Sequence, residues 1–530
     1  MKTNKNIPLD GIQGLKQNFS SDFTSGFLVF LLALPLSLGI AKASDFPPMM
    51  GLVTAMVGGL VVSLFSGSKL TIKGPAAGLI VIVAGSVAEL GGGNNELGWN
   101  LALGAIAAAG VIQVLFGFFK LGKFVDFFPL SAVHGMLAAI GLIIMSKQIH
   151  ILLGINPTTE AGKPMVEPLE LIGEIPHSFS NFNGNASLIG IICLLIVFLW
   201  PKVKHPFLKK IPAPVLVLLT AIPLAKVLNL DSKLFIHFDK DLFHTLSFHT
   251  NFDGFSQTGT FLKYVLMFAL VGSLESLLTV KAIDLLDPFK RKSNYNKDLI
   301  AVGFGNILSS LLGGLPMISE VARSSSNVAN GAQTRWANFF HGFFIFLFLC
   351  FAVTFSDLIP NTALAAMLIG VGFRLASPKE FSKMFKIGPE QLFVFLITIL
   401  GTLATDLLVG MIAGIVVKMI LHYFQGVTWI QTFKVILKKK DQSLWEINSS
   451  IVFSNWSSLQ KEMSKISRTD RFTLDFSNST VVDHTAMENL HHLKQEFLQE
   501  GGELIILGID ELKPTSKSNH PLSARRKVKA

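Results

Sequence analysis

From Phe27 onward the chain repeats one pattern: an apolar segment of about 20 residues, the length at which a helix crosses a bilayer, then a short polar loop. Twelve such segments begin at Phe27, Met49, Leu101, Pro129, Ala186, Pro212, Phe261, Asp298, Trp336, Thr362, Gln391 and Asp406. Two shorter ones, Gly74 to Ala88 and Ser319 to Asn330, bring the expected total to about fourteen. Composition agrees: 50% of the residues are hydrophobic and 15% charged, where a soluble chain carries about 25% charged residues. The expected fold is an all-α polytopic membrane protein, followed by a small α/β domain.

Loop charge orients the segments. Lys2, Lys5 and Lys16 precede the first segment, and Lys120 and Lys123 separate the fourth and fifth. Lys202, Lys204, Lys209 and Lys210 follow the sixth; Lys281, Lys290, Arg291, Lys292 and Lys297 follow the eighth. Lys379, Lys383 and Lys386 follow the twelfth, and Lys434, Lys438, Lys439 and Lys440 follow the last. All fall on one side only if both short segments cross, and that side is then the cytoplasm. The formal charge of +10 therefore reads as a topology signal and not as a nucleic-acid surface. The 45 Phe against 6 Trp and 3 Tyr read as lipid-facing and core bulk. Cys193 and Cys350 sit in apolar runs with no metal-like spacing and suggest no disulfide framework. Met1 to Gln17 is polar and shows no signal-peptide pattern. The expected setting is a bacterial-type inner membrane with both termini cytoplasmic.

The short segments carry the functional signal. Each follows an irregular stretch, Ser66-Gly-Ser-Lys-Leu-Thr-Ile-Lys-Gly-Pro75 in one case and Gly313-Gly-Leu-Pro-Met-Ile-Ser319 in the other. Such backbone cannot face lipid, because its amides would go unsatisfied. The two are third of the first seven segments and third of the second seven, which suggests an inverted repeat. Half-helices that start near the midplane aim positive N-terminal ends at one point, where an anion is favoured. The plainer reading is a pair of ordinary Gly/Pro kinks.

Intramembrane charges cost about 2.5–3.5 kcal/mol each on insertion scales, so they mark function. Glu275 lies deep in the eighth segment with Thr279 one turn on, and is a candidate for a coupling proton or cation; the plainer reading is a structural salt bridge. Arg323, one turn into the second half-helix, would deepen an anion site, or would only pair with Glu275 or Glu320. Glu320 suits a helix N-terminus but opposes a nearby anion, and its role is open. Asp406 reads as a cap or packing contact, and His134 as a packed or hydrogen-bonded histidine.

At these residues the chain resembles the sulfate permease family of anion transporters, also called solute carrier family 26. The matching stretches are Asp22-Phe-Thr-Ser-Gly-Phe, Leu34-Pro-Leu-Ser-Leu-Gly-Ile-Ala41, Pro47-Pro48 with Gly51, and Lys73-Gly-Pro-Ala-Ala77. They continue with Gly272 to Thr279, Gly313-Gly-Leu-Pro-Met-Ile-Ser-Glu-Val-Ala-Arg323 and Asp406-Leu-Leu-Val-Gly410. The resemblance implies a seven-plus-seven inverted repeat with core and gate parts, an inorganic anion substrate such as sulfate, bicarbonate or chloride, and a homodimer. It places Ala76 and Ala77 of the first half-helix, and Ser319, Glu320, Val321 and Arg323 of the second, at the substrate. It places Glu275 and Thr279 at the coupling ion. No resident cofactor is implied beyond a coupling Na+ or H+. The sodium-coupled bicarbonate transporter of the family has Asp at the place of Glu275 and small residues at those of Glu320 and Val321, so proton coupling stays equally open.

After Lys440 the pattern changes. Leu444 to Asn448 and Arg471 to Phe476 alternate like strands, Thr485 to Glu500 has helical spacing, and Glu503 to Gly508 reads as a buried strand. Asp475 to Thr485 resembles the STAS signature, with His484 where regulatory STAS proteins have a phosphorylatable Ser. The expected boundaries are 1–20 for a cytoplasmic N-terminus, 21–430 for the membrane domain, 431–512 for a short STAS-like domain and 513–530 for a disordered tail. The leading function is secondary active transport. An exchanger or channel, a nucleobase permease and a membrane sensor are the alternatives. There is no phosphate-binding loop, nucleophile elbow or zinc motif to suggest an ATPase or another enzyme.

Overall fold

The computed structural model describes residues 7–122, 128–158, 165, 167–205, 211–236, 250–289, 291–351, 358–405, 407–516 and 520–527. Asp406 and the loop residues Lys2, Lys5, Lys123, Lys209, Lys210 and Lys290 lie outside the described residues.

Each of the fourteen expected segments holds a helix. The first seven are α1 (Gly11–Ala43), α2 (Pro48–Phe65), the half-helix α3 (Ala77–Gly91), α4 (Asn95–Phe118), α5 (Leu130–Leu152), α7 (Gly184–Leu199) and α8 (Ala213–Val227). The second seven are α9 (Thr258–Leu286), α10 (Tyr295–Leu311), the half-helix α11 (Val321–Ala329), α12 (Trp336–Phe351), α13 (Asn361–Leu375), α15 (Pro389–Ala404) and α16 (Leu407–Phe424). Two further helices were not anticipated. They are α6 (Pro168–Ser180), in which only Leu171 and Ser178 are buried, and α14 (Pro378–Ile387), which buries Met384 and Ile387. Both are too short and too polar to register as spans. The first helix also starts 16 residues before Phe27, because Asp10 caps it by accepting the Gly11 N–H, and it bends at Asn18.

Residues 1–122 and 141–374 form one compact unit. Its helices cross at glycines. A Cβ on Gly110 of α4 would lie 2.7 Å from the Gly303 carbonyl of α10, and one on Gly303 would lie 2.6 Å from the Gly110 carbonyl. The same reciprocal contact joins Gly59 of α2 and Gly342 of α12, at 2.4 and 2.6 Å from each other's backbone. Fourth against second-of-the-other-repeat occurs twice, as a two-fold inverted repeat requires. Small residues at these points bring the backbones together where lipid offers no hydrophobic drive.

The irregular stretches meet each other. β1 (Lys73–Pro75) pairs antiparallel with β2 (Met317–Ser319), with Lys73 opposite Ser319, Gly74 opposite Ile318 and Pro75 opposite Met317. Ile72 and Leu70 backbone groups bond Ser324 and Asn327 of α11, and the Asn306 side chain bonds the Met317 N–H at 2.6 Å. The amides are thus satisfied inside protein, as their place in a membrane segment demands. The Asp22 stretch is also a stitch: Asp22 accepts from Gln333 N–H, Thr334 N–H and the Thr334 hydroxyl, and Ser25 donates to Asn327 Oδ1 at 2.7 Å.

Residues 123–140 and 375–530 form the second unit. Its C-terminal part begins with α17 (Trp429–Phe433) and contains a sheet of β3 (Leu437–Lys439), β4 (Leu444–Ile447), β5 (Arg471–Asp475) and β7 (Glu503–Leu507), in that order. β4, β5 and β7 run parallel, so helices must carry the crossovers. These are α18 (Trp456–Met463) and α19 (His484–Glu500), closing a core of Trp445, Phe472, Leu474, Phe476, Leu490 and Phe497. The segment expected to be a disordered tail contributes strands where it is described. β8 (Lys513–Pro514) and β9 (Arg525–Arg526) form a sheet with β6 (Val481–Val482). Ser523 donates to the Ile387 carbonyl at the end of α14, and the His484 ring donates from Nδ1 to the Leu522 carbonyl at 2.8 Å. These are backbone pairings, which a polar composition does not reveal.

Candidate functional site

The β1–β2 pairing delivers two helix N-termini to one place. α3 starts at Ala77, two residues after β1, and α11 starts at Val321, two residues after β2. The lead-ins bond across: the Ala76 N–H donates to the Pro316 carbonyl at 3.3 Å, and the Glu320 N–H to the Ile72 carbonyl at 2.9 Å. The first intrahelical bonds run from the Leu79 N–H to the Ala76 carbonyl and from the Ser324 N–H to the Glu320 carbonyl, so the N–H groups ahead of them have no partner within their own helix and give each terminus a partial positive charge.

Three side chains close on this point. The Glu275 carboxylate, on α9, rests on Gly78: a Cβ there would lie 2.1 Å from Glu275 Oε1. Glycine is therefore required at the second residue of the half-helix if Glu275 is to reach it. The Glu320 carboxylate accepts from the Ala77 N–H at 3.4 Å. Arg323 lies behind, wholly buried, with a guanidinium nitrogen 2.5 Å from where a Cβ on Gly74 would stand. None of its three nitrogens has a hydrogen-bond partner among the described residues, so it forms no such bond to Glu275 or Glu320 in this conformation. Thr279 Oγ1 and Glu275 Oε2 are also without partners, as are both ring nitrogens of the buried His341.

The other expected residues divide. Ala76 and Ala77 are 2% and 8% exposed at the start of α3. Val321 is 51% exposed although it lies between buried Glu320 and Arg323, so the mouth of α11 opens to space. Ser319 is buried, and its hydroxyl is engaged elsewhere. It accepts from Lys73 Nζ at 2.6 Å and from Ser276 at 3.1 Å, and lies 3.3 Å from Asp298 Oδ2. His134 lies 3.5 Å from Glu380.

Sequence reasoning missed the pair behind Ser319. Lys73 and Asp298 are 0% and 1% exposed. Lys73 Nζ donates to both Asp298 oxygens at 2.9 and 2.8 Å and to Thr71 at 2.9 Å. Asp298 also accepts from the Ser66 hydroxyl and the Ser68 N–H. The pair is complete in its hydrogen bonds, the condition under which a buried ion pair is tolerated. A Lys immediately before Gly-Pro and an Asp opening an apolar segment were its only signals, and each alone looks like a boundary residue. Two more charges were overlooked on α16: Lys418 bonds Gln391 at 3.2 Å, and His422 lies 3.4 Å from Asp483.

Comparison with known proteins shows the family and the fold. The model of the sulfate permease family matches residues 19–398, and that of the STAS domain matches residues 435–512. The putative sulfate transporter YvdB of Bacillus subtilis is 28% identical over 508 residues, covering 93% of this chain and 92% of its own. The bicarbonate transporter BicA of Picosynechococcus is 24% identical, covering 76% and 70%. Among solved structures, the transmembrane domain of a cyanobacterium bicarbonate transporter BicA superposes with a TM-score of 0.65 at 23% identity, over 75% of this chain and 98% of that one. SLC26A9 does so at 0.65 and 13%, over 93% and 85%. These structures share the fold. The chain is a multi-pass membrane protein that belongs to the sulfate permease family, a family of anion transporters and not of enzymes, and it carries a STAS domain after its membrane helices.

Proposed function

We propose that this protein is a secondary active transporter of sulfate or bicarbonate, driven by a proton or sodium gradient and working by alternating access. One observation carries the reading. A fully buried Arg323 with three unpartnered nitrogens stands behind two convergent helix N-termini. A buried cation without a partner is costly, and an anion held in front of it removes that cost. Ala76, Ala77, Glu320 and Val321 surround the position, while Ser319 supports it from the Lys73 cluster. Glu275 with Thr279 supplies the coupling: both have unsatisfied oxygens, the donor set that a proton or a small cation would take. The proposed setting is a bacterial inner membrane, as a homodimer with cytoplasmic termini, with the STAS domain in an assembly or regulatory role.

The test is uptake of labelled sulfate and labelled bicarbonate into proteoliposomes under imposed proton or sodium gradients. Gradient-driven uptake that Glu275→Gln renders indifferent to the gradient is the expected result. Uptake indifferent to both gradients in the wild type points to an exchanger or channel instead. Arg323→Gln is expected to raise the half-saturation concentration at least about tenfold, the loss of one charge-assisted contact.

A further inference from the structure

Glu320 stands at the N-cap of α11, where an acceptor ordinarily folds back onto its own helix. It makes no such bond here. Its own N–H is fixed to Ile72, and its carboxylate reaches across the repeat boundary to the Ala77 N–H of the opposite half-helix. That places a negative charge where the α3 terminus attracts an anion.

We propose that Glu320 is a tethered competitor for the transported anion: its carboxylate holds the first half-helix terminus in the empty site, and the anion binds by displacing it. This rests on the reading of the crossing as the anion site. Room for displacement exists, since neighbouring Val321 is 51% exposed. The charges that face Glu320 are Glu275 from α9, Arg323 from α11 and Arg374 from the end of α13, with the Lys73–Asp298 pair neutral behind. Glu275 repels it toward leaving, whereas the α3 terminus retains it. An occupied site lowers apparent affinity by the fraction of time it is free. Only anions able to outbid a carboxylate at that N–H are then carried well, which makes Glu320 a specificity-determining residue.

The experiment uses the full chain in proteoliposomes and measures half-saturation for labelled sulfate and bicarbonate. Glu320→Gln and Glu320→Ser are expected to lower it by about threefold to thirtyfold, the range of one helix-terminus cap. Glu320→Asp, one methylene shorter, keeps the charge but loses the reach and is expected to lower it too. Structural damage does not tighten binding, so a gain separates competition from misfolding; Glu320→Gln preserves shape should Glu320→Ser fold poorly. Unchanged or raised values in both neutral variants overturn the proposal. So does a wild-type value in Glu320→Asp with gains in the others, which would mean bulk repulsion and not occupancy. Wild-type protein that carries neither anion overturns the transport reading itself, and a carrying wild type with unaltered variants overturns this inference alone.

Discussion

Lys73 and Asp298 support the site from behind Ser319, as a buried pair bonded to its hydroxyl. Replacing Lys73 by Met leaves Asp298 with an uncompensated buried charge, a loss of about 3–5 kcal/mol. Lys73→Met is therefore expected to lower the thermal transition of the purified protein sharply, and Lys73→Met with Asp298→Asn to recover part of it. A double-mutant cycle in melting temperature checks this; simple additivity would show that the pair is not coupled. Arg323 differs from Lys73, because none of its nitrogens has a hydrogen-bond partner among the described residues. Its charge was visible in sequence, and its isolation was not. The guanidinium has its place because Gly74 carries no Cβ, and Gly74 is held there by the pairing of β1 with β2.

At the scale of elements, the half-helices were readable because Gly and Pro interrupt apolar segments at matching positions in two halves. Their partners were not. α3 and α11 are stitched by strands three residues long, far below what alternation can reveal. The reciprocal glycine crossings are a second hidden feature, since a Gly in a membrane helix is common and says nothing about which helix it meets. Gly110→Val is expected to destabilise by about 1–3 kcal/mol, the cost of overpacking, and Gly59→Val likewise. Gly173→Ala on α6, where a Cβ meets nothing within 4 Å, is expected to cost nothing and to stabilise by up to about 1 kcal/mol. Comparing detergent melting curves of the three variants tests the crossings; equal behaviour would remove close approach as their reason.

At the scale of the whole molecule, Asp483 is one carboxylate that ties a membrane helix of the second unit to the STAS domain. Asp483 caps α19 by accepting the Ala486 N–H at 2.8 Å, accepts the Phe453 N–H at 2.9 Å, and lies 3.4 Å from His422 of α16. Burial pushes its carboxyl up, but the His422 ring, Lys418 and the Ala486 N–H together outweigh that and hold it at about 2, below the ordinary 3.8. A depressed folded value means that Asp483 stabilises at full strength above about pH 4 and loses that contribution as pH falls toward about 2. Asp483→Asn is expected to lower the melting temperature of the STAS transition near neutrality. Its difference from the wild type should close between about pH 4 and about pH 2. A constant difference across that range would show that the charge is not what Asp483 contributes.

What the sequence determined by itself was, from periodicity and composition, the membrane class, the approximate number of helices, the two interrupted segments and the change to an α/β domain, and, from the resemblance of its motifs, the family. Those properties are local, since each span must be apolar over its own length whatever its neighbours are. What only the tertiary structure decided was pairing across distance. Asp298 is 225 residues from Lys73 and Glu320 is 243 from Ala77, and no local signal reports contacts at such separations. The physical reason is that a buried charge or an open helix terminus is defined by what lies opposite it, and the inverted repeat brings the opposite residues from the other half of the chain.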